Sequence, residues 1–189
     1  GWAKHNQQGL LPSRKQVEDA ERVTNEFRSR HEGNMDVFFV APDYYDDRPK
    51  KCSNGWATTF ITVTPEGDVL PCHAAKVIPG LDFPNVKQHK LSDIWRSSDL
   101  FNKYRGTSWM VEPCASCPER MIDLGGCRCQ ALMLTGDAAN ADPVCSLSPF
   151  HDRVTKITDR ASGEFDSNEP VPLLFRNMKN AEQFNQDQS

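Results

Sequence analysis

The sequence lacks any apolar run long enough to cross a membrane, and it lacks an excess of positive charge. Its apolar stretches are short, such as residues 37–41, whereas a membrane-spanning helix needs about 20 apolar residues. The 22 lysines and arginines are outnumbered by 26 aspartates and glutamates, which gives a net charge of −4. This charge is unfavourable for general binding to nucleic acids or anionic membranes. We therefore predict that neither is a partner.

A secretory leader is also missing, because residue 1 is glycine and no basic segment followed by an apolar one comes after it. The count of seven cysteines is odd, which argues against a disulfide framework and indicates a reducing compartment. We therefore expect a cytoplasmic protein. The missing methionine suggests that the sequence is the C-terminal piece of a longer protein.

The sequence is instead rich in cysteine between Cys114 and Cys145, a stretch that holds five of the seven. These five follow the order C-x2-C, C-x-C and a single cysteine, and Cys52 and Cys72 lie upstream. Thiolates at C-x2-C spacing can bind one metal centre because a tight turn points both sulfurs inward. Zinc sites and iron–sulfur clusters both use this arrangement.

The number of cysteines favours two metal centres, one of which has a ligand that is not cysteine. A single zinc site takes four ligands and would leave three cysteines over. Two sites of four ligands need eight. Asp123 lies six residues after Cys117 and four before Cys127, where a cysteine would complete an unbroken series. On spacing alone, zinc remains the alternative to iron.

The other segments predict short elements. Residues 14–30 have helical periodicity, with a capping box at Ser13 and an end near Gly33, and residues 35–40 suit a buried strand. A hairpin is predicted for 60–70. Further helices are expected to open near residue 91 with Ser92 as N-cap, over 99–105 closed by Gly106, and over 130–134 stopped by Gly136. The polar sequence after residue 150 predicts no element, and its last ten residues are expected to be disordered.

The cysteine pattern resembles a known family. C-x14-G-x4-C, followed downstream by C-x2-C-x5-D-x3-C-x17-C, is similar to the SPASM domain, a cluster-bearing C-terminal extension of some radical S-adenosylmethionine (SAM) enzymes. Asp123 replaces one cysteine of that pattern. The similarity is strongest to the radical SAM enzymes of pyrroloquinoline quinone (PQQ) biosynthesis. It is carried by residues 1–3 and 42–45, GDVLPCHAA at 67–75, YRGTSW at 104–109, GGCRCQAL at 125–132 and LTGDAA at 134–139.

The resemblance implies two auxiliary iron–sulfur clusters, each either [4Fe–4S] or [2Fe–2S]. The ligands of the first cluster would be Cys52, Cys72, Cys127 and Cys129, and those of the second would be Cys114, Cys117, Asp123 and Cys145. The alternatives are that Asp123 is a surface carboxylate and Cys129 a buried bystander. Arg120 and Arg128 are the basic residues nearest the second set in sequence, and either could tune its potential, but the default expectation is that both are solvated charges. The aromatic residues expected to form the core beneath the clusters are Trp95, Phe101, Tyr104 and Trp109.

The resemblance further implies an α/β (α+β) fold. Residues 1–45 would be the last units of a partial radical SAM barrel, 46–150 a loop-rich SPASM domain with a β-hairpin and short helices, and 151–189 a partly disordered tail. The C-x3-C-x2-C loop that radical SAM chemistry needs is absent from the chain. SAM and a further [4Fe–4S] cluster would belong to an upstream part. We therefore expect no catalytic residue here and no activity of the chain alone.

The implied reaction is a carbon–carbon link between glutamate and tyrosine side chains of the PQQ precursor peptide. The implied partners are that peptide, a small peptide-chaperone protein and an external electron donor. One alternative is another SPASM peptide maturase, either sulfatase-maturing or thioether-forming. The other is a zinc-stapled interaction module without catalysis.

Overall fold

The computed structural model describes residues 6–40, 42–162, 172–175 and 177. The family-like residues 1–3 and the last ten residues, predicted to be disordered, lie outside this part. The chain divides into two compact units, Gly1–Ala41 with Ile157–Ser189 and Pro42–Lys156. Among the described helices, none combines the length and the apolar character that crossing a bilayer requires.

The first unit contains helix α1, Gln7–Leu10, and helix α2, Arg14–Arg30. The predicted capping box at the start of α2 is confirmed. Gln16 N donates to Ser13 Oγ at 3.3 Å, and Ser13 N donates to Gln16 Oε1 at 2.8 Å, so the pair satisfies two backbone donors that the helix start leaves free. No residue of α2 is buried.

The prediction of a buried strand at residues 35–40 is wrong. The segment has no strand hydrogen bonding, and Phe38 and Val40 are 87% and 88% exposed. A strand needs a neighbour for its backbone groups, and the only sheet within the described residues is the hairpin of the second unit. Here the Val37 carbonyl instead accepts hydrogen bonds from the Arg28 guanidinium, at 3.1 and 2.9 Å.

The second unit consists of loops, short helices and one small sheet. Its strands are β1, Thr62–Val63, and β2, Val69–Leu70. Its helices are α3, Leu91–Ser97, α4, Asp99–Asn102, α5, Arg120–Asp123, and α6, Arg128–Thr135, with 3-10 turns at Cys52–Asn54 and Ala75–Val77. A last helix, α7, covers His151–Ser162.

The hairpin is confirmed, although its strands are shorter than predicted. The strands are antiparallel, with Thr62 opposite Leu70 and Val63 opposite Val69. The turn requires a glycine, because Gly67 has φ +98° and a Cβ there would lie 2.7 Å from Asn85 Oδ1. A sheet of this size is marginal on its own, so neighbouring loops must hold it in place.

Two helix boundaries correct the sequence predictions. Helix α3 begins at Leu91 with Lys90 as its N-cap and no capping side chain. Ser92 lies inside the helix and donates to Asp93 Oδ1, so its prediction as the N-cap is wrong. Helix α4 ends at Asn102, before the predicted boundary, whereas α6 ends as predicted with Gly136 in the left-handed conformation.

Helix α7 was not predicted, because its sequence is rich in charge. Its pattern is nevertheless helical, since the buried residues Val154, Thr158 and Ala161 recur at spacings of four and three.

The core of the second unit is aromatic and extends to two cysteines. Phe101 is fully buried, Trp56 and Tyr104 pack edge to face at 5.3 Å, and Trp56 Nε1 donates to the Leu100 carbonyl at 3.0 Å. The predicted aromatic core is confirmed, with Trp95 and Trp109 packed at its margin. Among the residues of this core are Cys72 and Cys129.

Replacing Phe101 with alanine should lower the free energy of unfolding by about 3–5 kcal/mol, because it leaves a cavity in this core. Urea unfolding followed by tryptophan fluorescence measures the change. Phe38→Ala is the matched control and should change stability by less than about 0.5 kcal/mol, since the ring is exposed. Equal losses in the two variants would contradict this description of the core.

Candidate metal centre

Four thiols from separate parts of the second unit lie together in a ring. Cys52 and Cys129 each lie within hydrogen-bonding reach of both Cys72 and Cys127. Every member of the set therefore contacts two others. These four are the residues predicted as ligands of a first cluster, and the structure brings all of them together. Their role as ligands stays a prediction.

Three local structures position the ring. Cys52 begins a 3-10 turn, and Cys72 follows the end of β2 after one residue. Cys127 is the N-cap of α6, and Cys129 lies in its first turn. The hairpin and the helix are far apart in sequence, so the ring joins two segments that share few other regular contacts.

The four thiols of the ring differ in the direction of their pKa shifts. Hydrogen bonds from Cys129 and Cys52 lower the pKa of Cys72 to about 2 and that of Cys127 to about 3. The same bonds, together with burial, raise the pKa of Cys52 and of Cys129. Two sulfurs thus favour the thiolate form that binds metals, and the other two act as donors to them. Binding of a metal centre by all four would release protons.

The second predicted set is also brought together, but more loosely. Burial is the main cause that raises the pKa of Cys114 to about 11, and the charges of Asp123, Cys145 and Cys117 act in the same direction. All three therefore lie within electrostatic range of Cys114.

Asp123 is the last residue of α5 and is only 8% exposed. Its Oδ1 accepts a hydrogen bond from Gly125 N at 2.8 Å. The alternative of a surface carboxylate is therefore wrong, while the ligand role of Asp123 stays a prediction.

The donor chemistry of both sets fits iron–sulfur clusters. Within the described part of the chain, no group of three or more His, Cys, Asp or Glu side chains is arranged to hold a single metal ion. A multi-iron cluster places no such demand, because each of its ligands binds a different iron and the ligands need not converge on one point. Four cysteines, or three with one carboxylate, supply the number of ligands that one such cluster takes.

Asp142 supports the ring from outside and was not predicted from the sequence. Its side chain is 1% exposed and accepts hydrogen bonds from Cys127 N at 2.7 Å, Gln130 Nε2 at 2.9 Å and Val144 N at 3.0 Å. Burial raises the pKa of Asp142 to about 6. An aspartate before a proline often accepts from the backbone two residues on, and that signal could have identified it.

The carboxylate of Asp142 can approach the loop before Cys127 only because residue 126 is glycine. Gly126 has φ +75°, and a Cβ there would lie 2.5 Å from Asp142 Oδ2. A side chain at residue 126 would therefore push away the carboxylate that fixes the Cys127 backbone.

Arg128 lies between Cys127 and Cys129 in sequence. Its burial shows that the default expectation of a solvated charge is wrong for this residue. It is 2% exposed. The guanidinium donates to the carbonyls of Ala138 at 2.7 Å, Asn140 at 2.9 Å and Gly125, and it lies 4.6 Å from the centre of the Trp109 ring. Arg120, in contrast, is exposed as expected.

Comparison with known proteins identifies a domain in this part of the chain. Residues 52–118 match the SPASM family, described as an iron–sulfur cluster-binding domain. The chain contains a SPASM domain. The matched range includes Cys52, Cys72, Cys114 and Cys117 and ends before Asp123.

The chain also has a close relative among known proteins. The PqqA peptide cyclase of Gluconobacter oxydans (strain 621H) is 55% identical to it over 159 residues, which are 84% of this chain and 44% of that protein. This identity confirms the resemblance found from the sequence. The chain spans less than half the length of that relative.

Replacing Asp142 with asparagine should lower the free energy of unfolding by about 1–3 kcal/mol. With its oxygen kept toward Val144, the new amide group would oppose the N–H of Cys127, which leaves two buried donors facing each other. Urea unfolding of the metal-free chain measures the loss. Asp82→Asn is the control, because Asp82 is exposed. A change no larger than that of the control would show that the carboxylate does not support Cys127.

Proposed function

We propose that this chain is the part of a radical SAM peptide cyclase that holds two auxiliary iron–sulfur clusters. The observation that carries the proposal is the ring of four thiols from separate parts of the second unit. The SPASM match and the similarity to a PqqA peptide cyclase support it. The first cluster would be bound by Cys52, Cys72, Cys127 and Cys129, and the second by Cys114, Cys117, Asp123 and Cys145.

Iron–sulfur clusters supply single-electron transfer when bound, at potentials that the surrounding protein sets. The residues of the chain would hold the first site rigid and keep water away from it. Cys72 and Cys129 are buried against the aromatic core, and Asp142 fixes the backbone of Cys127. The harder carboxylate of Asp123 would distinguish the second site from the first.

The complete enzyme would form the carbon–carbon link between glutamate and tyrosine of the PQQ precursor peptide. Joining these side chains removes two hydrogen atoms, and restoring the aromatic ring takes one electron and one proton from the joined radical. The sites on this chain lie in the part that would receive that electron. SAM and its [4Fe–4S] cluster would belong to an upstream barrel, of which residues 1–45 would be the end. Residues 46–150 would form the cluster domain.

The proposed partners follow from this assignment. They are the precursor peptide, a small peptide-chaperone protein and an external electron donor. The similarity over 84% of the chain favours this assignment over a sulfatase-maturing or thioether-forming enzyme.

Iron, acid-labile sulfide and zinc per chain after anaerobic preparation test the proposal. We expect iron and sulfide in amounts that fit two clusters, and a brown protein. Replacing Cys129 with alanine should remove the first cluster alone, because the second set contains none of the ring thiols. Stoichiometric zinc without sulfide would overturn the proposal and favour a zinc-stapled interaction module.

The ligand role of Asp123 has its own test. Asp123→Cys should keep the second cluster but change its reduction potential, because thiolate is the softer donor. Asp123→Ala should reduce iron and sulfide by up to one cluster per chain. Asp82→Ala, at an exposed carboxylate, should change neither quantity. Unchanged content, spectrum and potential in Asp123→Ala would show that Asp123 is not a ligand.

A further inference from the structure

Arg128 is a buried cation with an unusual set of partners. Three backbone carbonyls and the face of Trp109 surround its guanidinium, and no carboxylate forms a hydrogen bond or ion pair with it among the described residues. Carbonyls and an aromatic ring solvate a cation without neutralising it. The charge therefore remains inside the domain without an ion-pair partner among the described residues, and Asp142 is the carboxylate whose charge acts on it most strongly.

The charge of Arg128 acts on both thiol sets. Burial lowers its pKa, and the opposing influences are, in decreasing order, the charges of Asp142, Cys114 and Cys127. Cys114 belongs to the second predicted set and Cys127 to the first. The guanidinium thus lies within electrostatic range of one sulfur from each set.

One donor of Arg128 has no acceptor. Its Nε–H is buried, and no hydrogen-bond partner for it exists within the described part of the chain. An unsatisfied buried donor costs about 1–3 kcal/mol, so the burial of this side chain is unfavourable for folding by itself.

We propose that Arg128 is a counter-ion shared by the two cluster sites, whose charge raises both reduction potentials. Reduction adds negative charge to a cluster, and a fixed buried cation stabilises that state more than the oxidised one. Arg128 does not bind iron and takes no part in the reaction, so it is a positioning residue. This inference rests on the proposed function.

The test is an anaerobic redox titration of the chain reconstituted with iron and sulfide, followed by absorption and electron paramagnetic resonance. Arg128→Gln removes the charge and should lower both midpoint potentials. Arg128→Lys keeps the charge and should have potentials closer to those of the unsubstituted chain. Arg120→Gln is the matched control. Its charge is exposed and screened by water and salt, so the potentials should not change.

A merely structural arginine would give another result. Both Arg128 variants would then lose stability or iron, but the clusters that remain would keep the original potentials, and this would overturn the inference. If Arg128→Gln holds no iron, Trp109→Leu replaces it. That variant keeps the charge but opens the guanidinium to water, so the potentials should fall by a smaller amount. Unchanged potentials there would also overturn the inference.

The two proposals fail in different ways. Absence of iron and sulfide from the unsubstituted chain overturns both the proposed function and the role of Arg128. Bound clusters whose potentials do not respond to residue 128 or 109 overturn the role of Arg128 alone.

Discussion

Contact among four thiols is the interaction on which the second unit depends. Cys52, Cys72, Cys127 and Cys129 lie within hydrogen-bonding reach of their neighbours in the ring, although the sheet beside them has only two residues in each strand. Regular secondary structure is too sparse here to fix the loops by itself. A metal centre bound by these thiols would therefore supply folding energy that a larger sheet would otherwise provide.

The surroundings of the ring are adapted to polar and charged groups. Asp142 accepts three hydrogen bonds while buried, and Arg128 is surrounded by carbonyls and an indole. Both side chains are expensive to bury unless their hydrogen bonds are made. Both side chains are buried next to the cysteines, where fixed charges influence sulfur chemistry most strongly.

The sequence predicted the features that depend on local pattern. The capping box at Ser13, the hairpin around Gly67 and the end of α6 at Gly136 follow from a few adjacent residues. Features that depend on residues distant in sequence were harder to predict. The apolar segment 35–40 has the composition of a strand, but the described part of the chain offers it no neighbour to pair with. The burial of Arg128 depends on carbonyls ten and twelve residues away, which no local pattern reveals.

The order of the ring along the chain has a consequence for synthesis. Cys52 and Cys72 leave the ribosome at least 55 residues before their partners Cys127 and Cys129. The ring cannot form until α6 has left the ribosome. Asp142 has to follow before its carboxylate can accept the hydrogen bond from Cys127 N. During that interval the early thiols are exposed to oxidants and stray metals. A domain of this connectivity is therefore completed near the end of its own translation, by the same residues that close the thiol ring.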